Sequence, residues 1–201
     1  MEKRKTLFLV EVAIFSALAY LLDLAAGFFS FKIWAQGGSI SIAMVPIFLM
    51  AYRWGVKGGL LTGFLLGLLQ VALGTPYIIH PVQGALDYFV AFTVVGFAGV
   101  FAASARKVKE EGNRRRWMSY IISGIFLGSV LRFMAHFIGG VVFFADSAPE
   151  GTPAALFSFL YNGSYMLPNA ILCSIIVILV FNASPRLISS QGGGKTLNNH
   201  L

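Results

Sequence analysis

The sequence predicts an all-α integral membrane protein with six transmembrane helices and both termini in the cytoplasm. Three observations carry that prediction. Of 201 residues, 57% are hydrophobic and only 11% are charged, where a soluble domain carries about 25% charged residues. The apolar residues gather into six stretches. The basic residues fall almost entirely on one side of the alternating topology that those stretches define. The same composition argues against a soluble enzyme, a disordered chain and a nucleic-acid binder. The single cysteine, Cys173, lies inside an apolar run, so no intramolecular disulfide and no cysteine zinc cluster is expected.

The first span is expected over Thr6–Gly27. Its basic start lacks a small-residue cleavage site followed by a polar mature domain, so it reads as a retained helix and not a removed signal peptide. The second runs over Ser39–Tyr52 and the third over Gly58–Leu73. Both fall short of the roughly 20 residues that cross a bilayer comfortably. Tilt, local thinning or uncharged flanking loop would accommodate them. The fourth is expected over Val82–Ala103, the fifth over Trp117–Phe144 and the sixth over Ala154–Phe181. The tail over 184–201, with Gly192–Gly194, reads as a flexible cytoplasmic end. No loop is long enough to fold alone, so any ATPase must be a separate chain.

Fifteen Lys and Arg stand against eight Asp and Glu, a net charge of +7. The termini, the link over Tyr52–Lys57 and the link over Ser104–Arg116 hold nearly all of the bases. The opposite side has Lys32, and Arg132 lies within a span. Cytoplasmic loops collect Lys and Arg, so the excess reports topology and calls for no nucleic acid. Arg114, Arg115 and Arg116 read as a solvated, headgroup-facing loop. Trp54 and Trp117 fall at the inner boundary and Trp34 near the outer one, the depth that amphipathic indoles favour.

Polar residues inside hydrocarbon are costly and mark function. Gln83 and Asp87 share a face of the fourth span, with Tyr88 adjacent. Arg132, His136, Gly140 and Phe144 recur every four residues along one face of the fifth. Asn162, Tyr165 and Asn169 form a stripe on the sixth. At about 1.5 Å per residue, Asp87, His136 and Asn162 lie at similar depths, roughly 8–12 Å below the outer edge. A carboxylate, an imidazole and an amide among Tyr88, Phe144, Phe157 and Tyr165 suit a small, flat, cationic heteroaromatic ligand. Alternatively these groups pair with one another to hold the bundle, and Asp87 with Arg132 is the expected ion pair. Glu11 and Asp23 read as snorkelling or capping residues, and His80 as an exposed loop residue. Ala13 and Ala17, four apart in the first span, make a smooth patch that lets another helix approach closely.

Catalytic motifs are missing, including His-Glu-x-x-His and Gly-x-Ser-x-Gly. Gly192–Gly194 before Lys195 and Thr196 lacks the first glycine and the strand of a Walker sequence. A self-sufficient secondary carrier would want more intramembrane acids and inverted repeats.

Jointly, several stretches are specific. They are Glu11–Tyr20, Gln36-Gly-Gly-Ser-Ile-Ser-Ile, Pro46 through Arg53-Trp-Gly-Val-Lys-Gly-Gly, Gly74–Tyr77, Pro81-Val-Gln and Asp87-Tyr88. Leu131-Arg-Phe-Met-Ala-His-Phe-Ile-Gly-Gly, Phe143-Phe144, Ala148-Pro-Glu-Gly and Tyr161-Asn162-Gly complete the set. With these the chain, from Val10 to Leu187, resembles the thiamine-specific substrate-binding subunits (S-components) of bacterial energy-coupling-factor transporters. The resemblance implies no enzyme activity, no cofactor, thiamine as ligand, and a bacterial plasma-membrane location. It implies as partners a transmembrane coupling protein and two ATPase subunits. It also implies a site near the outer face built by the last three helices and the first outer loop, where Gln36–Gly38 would act as a lid. The family's acid falls on Asp87 beside Tyr88, its histidine on His136, a pocket glycine on Gly140 and its asparagine on Asn162. A stacking ring falls on Phe144, and Tyr77 matches a ring of the third outer loop. Ala13 and Ala17 match the patch that docks on the coupling protein. Some relatives carry Glu at Asp87, Trp at Phe144, Trp at Pro149 and Tyr at Phe157. Trp34 stands in the loop of a relative's Trp, several residues away. A related subunit for another vitamin shares the architecture and is the nearest alternative.

Overall fold

The computed structural model describes residues 2–29, 32–34 and 37–188. Among them are six helices: α1 (Glu2–Phe29), α2 (Val45–Trp54), α3 (Val56–Leu73), α4 (Pro81–Glu110), α5 (Arg114–Phe143) and α6 (Ala154–Ala183). Five of the six, all but α2, are long and apolar enough to cross a membrane. Their outward faces carry exposed Leu, Ile and Phe, including Leu18, Leu21, Phe126, Phe159, Leu167 and Ile171. That is the surface hydrocarbon requires. Of the tail, Pro185–Leu187 forms a 3₁₀ turn; residues 189–201 lie outside the described residues.

The second element departs from the expected Ser39–Tyr52 span. A short antiparallel hairpin, β1 (Lys32–Trp34) and β2 (Gly37–Ser39), occupies its start, with Lys32 opposite Ser39 and Trp34 opposite Gly37. The helix itself has ten residues, about 15 Å at the α-helical rise against a hydrocarbon core of about 30 Å. It is tolerated because it does not face lipid: every residue from Val45 to Arg53 is buried. Phe48, Tyr52 and Ile47 form the centre of the protein with Phe92, Val95, Ile121, Ile125 and Phe181. Tyr52 donates its hydroxyl proton toward the carbonyls of Tyr120 and Ile121, at 2.9 and 2.8 Å. Gly55, at φ 75°, makes the reversal into α3, a left-handed conformation that glycine adopts without steric cost.

A stripe of glycines lets α3 and α4 touch backbone to backbone. A Cβ on Gly59 would lie 2.6 Å from the Gly96 Cα, and one on Gly63 or Gly67 would strike the carbonyls of Phe92 or Tyr88. Small residues four apart are the usual means of such approach between membrane helices. Because Tyr88 follows Asp87, this contact also fixes the height of the candidate acid. Helix α4 is irregular: Ala85–Val90 is π-helical and Val94–Phe101 is 3₁₀. Single π turns occur often at functional positions.

The basic residues gather at one end. There Arg53 donates from Nε and Nη2 to the Glu11 carboxylate, the second bond at 2.6 Å, and from Nη1 to the Arg186 carbonyl at 3.0 Å. Trp54 Nε1 donates to the same carboxylate at 2.6 Å. Glu11 is therefore a paired structural group, where snorkelling or capping had been expected. Both ends of the described chain meet at this end through Arg53. Trp117 is 3% exposed and packs in the core with Lys109 over its ring, at 5.1 Å. It is no interfacial anchor.

Candidate functional site

At the end opposite the basic cluster, a cavity of about 630 Å³ opens among α1, α3, α4, α5 and α6. That volume suits a small organic molecule. Its wall includes nine of the ten residues expected from the sequence to bind ligand: Tyr77, Asp87, Tyr88, His136, Gly140, Phe144, Phe157, Asn162 and Tyr165. The tenth, Trp34, stands in β1, and its side chain lies outside the described residues. So does Gln36 of the expected lid.

Asp87 is the hub. Its Oδ1 lies 2.9 Å from His136 Nδ1, and its Oδ2 accepts from Gln83 Nε2 at 2.6 Å. A carboxylate only accepts, so the His136 proton of this contact is on Nδ1 and Nε2 is left over. Nε2 is buried and has no hydrogen-bond partner among the described residues. Gln83, 1% exposed, holds the preceding loop as well. Its Oε1 accepts from the Ile79 N–H at 3.0 Å and its Nε2 donates to the Tyr77 carbonyl at 3.2 Å. Tyr88 adds a further clasp by accepting the Tyr77 N–H at 2.9 Å. Above it the Tyr77 and Phe144 rings stack, with centroids 6.3 Å apart.

The expected Asp87–Arg132 ion pair does not form. His136, one helical turn above Arg132 on the same stripe, takes the carboxylate. The Arg132 guanidinium instead lies over the Phe92 ring, 4.4 Å from its centroid, a favourable cation–π placement. Asn162 is engaged within the bundle: Nδ2 donates to the Ser158 carbonyl at 2.9 Å, and Oδ1 accepts from the Tyr165 hydroxyl at 2.7 Å. Gly140 lets the α5 and α6 backbones close up here, since a Cβ would collide with Ser158. Asn169 lies deeper and accepts from the Ser41 N–H at 2.7 Å. His80 is exposed, as expected, and also accepts the Val82 N–H at 3.2 Å and stacks on Phe143.

Several wall residues were not foreseen, among them Asp23, Ser41, Gln70, Phe92 and Tyr161. Asp23 accepts from Gln70 Nε2 at 2.7 Å, so its side chain turns inward and is not a cap. Each of these acids and amides interrupts an apolar span, and that interruption was the available signal. Two carboxylates (Asp23 and Asp87) against one guanidinium (Arg132) leave the wall with a formal charge of −1, with His136 counted neutral. Seven aromatic rings surround them: Tyr77, Tyr88, Phe92, Phe144, Phe157, Tyr161 and Tyr165. Such a chamber is complementary to a flat monocation.

Comparison with known proteins agrees with that chemistry. The family model described as "Thiamine transporter protein (Thia_YuaJ)" matches residues 9–189. The thiamine transporter ThiT of Bacillus subtilis (strain 168) is 46% identical over 190 residues, which cover 94% of this chain and 98% of the relative. The ThiT of Lacticaseibacillus paracasei is 29% identical over 197 residues, 96% of each chain. A structure of ThiT from Listeria monocytogenes superposes with a TM-score of 0.83 at 31% identity, covering 92% of this chain and 98% of that one. An S component of a bacterial ECF transporter shares the fold, with a TM-score of 0.57 at 15% identity over 92% of this chain and 99% of that one. With a family match running almost from end to end, and a cavity whose charge and rings suit a flat cation, the chain belongs to the thiamine transporter protein family.

Proposed function

We propose that this multi-pass membrane protein binds thiamine in the cavity from the extracellular side, as the substrate-binding subunit of an ATP-driven uptake transporter. It is a transporter component and not an enzyme. The observation that carries the reading is the aromatic chamber of net charge −1 in a chain that is 46% identical to a thiamine transporter. The positively charged thiazolium is offset by the carboxylates and the ring faces. The aminopyrimidine, which both donates and accepts hydrogen bonds, meets the Asp87–His136 pair. The basic end, with Arg53, Lys109 and Arg114, lies in the cytoplasm, as the excess of Lys and Arg there favours.

Release into the cell falls to other chains. We assign that step to a transmembrane coupling protein and two ATPase subunits. The docking face is the exposed side of α1, where Ala13 and Ala17 are both exposed between the exposed side chains of Leu9, Ile14, Leu18 and Leu21.

Calorimetry on the purified chain in detergent tests the reading. One thiamine per chain is expected to bind in the absence of any other subunit. Binding of a different vitamin with no heat from thiamine would make it an S-component for that vitamin. Uptake into liposomes by the chain alone would make it a self-sufficient carrier.

A further inference from the structure

Helix α1 is attached to the rest of the protein along a narrow strip. Over Glu2–Gly27 only Val12, Ser16 and Ala19 are buried, and their side chains are short. Between membrane helices apolar contact alone gives little drive, because lipid tails are as apolar as the side chains; close packing and hydrogen bonds hold such helices together. Three short side chains offer little shape to pack, so the placement of α1 falls largely to its polar contacts.

The densest of these contacts lie at the cytoplasmic end. Arg4, Phe8 and Glu11, spaced four and three apart, form one stripe of α1. All three grip Trp54, the last residue of α2. The Arg4 guanidinium lies 5.8 Å from the ring centroid, the Phe8 ring meets it edge-on at 5.3 Å, and the Glu11 carboxylate accepts its N–H at 2.6 Å. Arg53, 8% exposed, makes two bonds to the same carboxylate and a third to the Arg186 carbonyl beyond α6. None of these residues lines the cavity. A buried ion pair adds little stability over apolar side chains of the same volume. It does supply orientation, since the planar fork of Arg matches a carboxylate in a fixed geometry.

Gripping one side of α1 aims the other. At about 3.6 residues per turn, Ala13 and Ala17 lie opposite the stripe of Arg4, Phe8 and Glu11, and both are exposed. We propose that Arg53 is a positioning residue for docking: through Glu11 it fixes the rotation of α1, so that the face of Ala13 and Ala17 meets the coupling protein. The proposal rests on the reading of that face as the docking surface.

The test measures the affinity of variants for the purified module of coupling protein and ATPases, beside thiamine binding by the isolated chain. The double variant Glu11→Met, Arg53→Met removes both charges and keeps apolar bulk. Arg53→Lys keeps the charge and loses the fork. Both are expected to bind thiamine as the unaltered chain does. Affinity for the module is expected to fall about tenfold in the double variant and about threefold in Arg53→Lys, the range for residues that act on a contact without touching the partner. Unchanged module affinity in either variant that still binds thiamine would overturn the proposal. So would loss of thiamine binding in both variants, which would make the clasp a folding element. Ala13→Trp tells this failure from that of the docking reading: a module that binds Ala13→Trp as tightly as the unaltered chain would place the docking surface elsewhere.

Discussion

Asp87→Ala is expected to weaken thiamine binding by about 100-fold or more. Truncating one partner of a buried hydrogen-bonded charge pair costs roughly 2–5 kcal/mol, and about 1.4 kcal/mol is tenfold in affinity. The cost here has two sources. One is loss of one of the two carboxylates that line the cavity with the stacked Tyr77 and Phe144 rings. The other is the state of the groups it leaves behind, because His136 Nδ1 and Gln83 Nε2 both bond this carboxylate, at 2.9 and 2.6 Å. Asp87→Asn separates the two sources. It keeps the shape and one acceptor while removing the charge, so its effect is expected to lie between those of the unaltered chain and Asp87→Ala. Titration calorimetry on the three proteins reads the outcome. Asp87→Ala binding within threefold of the unaltered chain would remove Asp87 from the site.

Ala13→Trp is expected to abolish uptake by the assembled transporter while leaving thiamine binding by the isolated chain unchanged within about twofold. The two effects separate because α1 has two faces. Val12, Ser16 and Ala19 are buried, and Ser16 bonds the Thr62 carbonyl on α3 at 3.3 Å. Ala13 and Ala17 point away from that contact and are exposed, and neither lines the cavity. A bulky indole there would keep another helix from close approach. Transport of labelled thiamine into proteoliposomes containing all subunits measures it. Uptake that survives the substitution would place the docking surface elsewhere.

How much of this was legible in the sequence depends on which force set each feature. Five helices answer to hydropathy, and their apolar runs were readable because lipid and protein core both reward apolar side chains. That same indifference hid the nature of α2. Hydropathy does not distinguish a segment that faces lipid from one buried on all sides, and Val45–Arg53 is the latter. The start expected at Ser39 belongs to a hairpin strand. The stripes on α5 and α6 were legible because helical periodicity alone puts Arg132, His136 and Gly140 on one face.

Pairing was less legible. Asp87 and Arg132 were the obvious opposite charges inside the spans, though spacing set Arg132 deeper; the packed helices bring His136 to the carboxylate and lay Arg132 over Phe92. Asp23 read as a snorkelling or capping residue because it lies near a span end, and Gln70 carried no reading of its own. Only the packing of α1 on α3 shows that they meet each other and face inward. Trp117 read as an interfacial indole from its place beside three arginines, yet the turn of α5 puts it in the core. The irregular stretch of α4 around Asp87 left no trace in the apolar pattern.

The most direct measurement is a crystal structure of the chain grown with thiamine. The expected result is one thiamine in the cavity, its rings among Tyr77, Phe144 and Tyr161, with a ligand nitrogen within hydrogen-bonding distance of Asp87 or His136. An empty cavity with thiamine bound elsewhere, or thiamine seated there with no contact to either residue, would contradict the account.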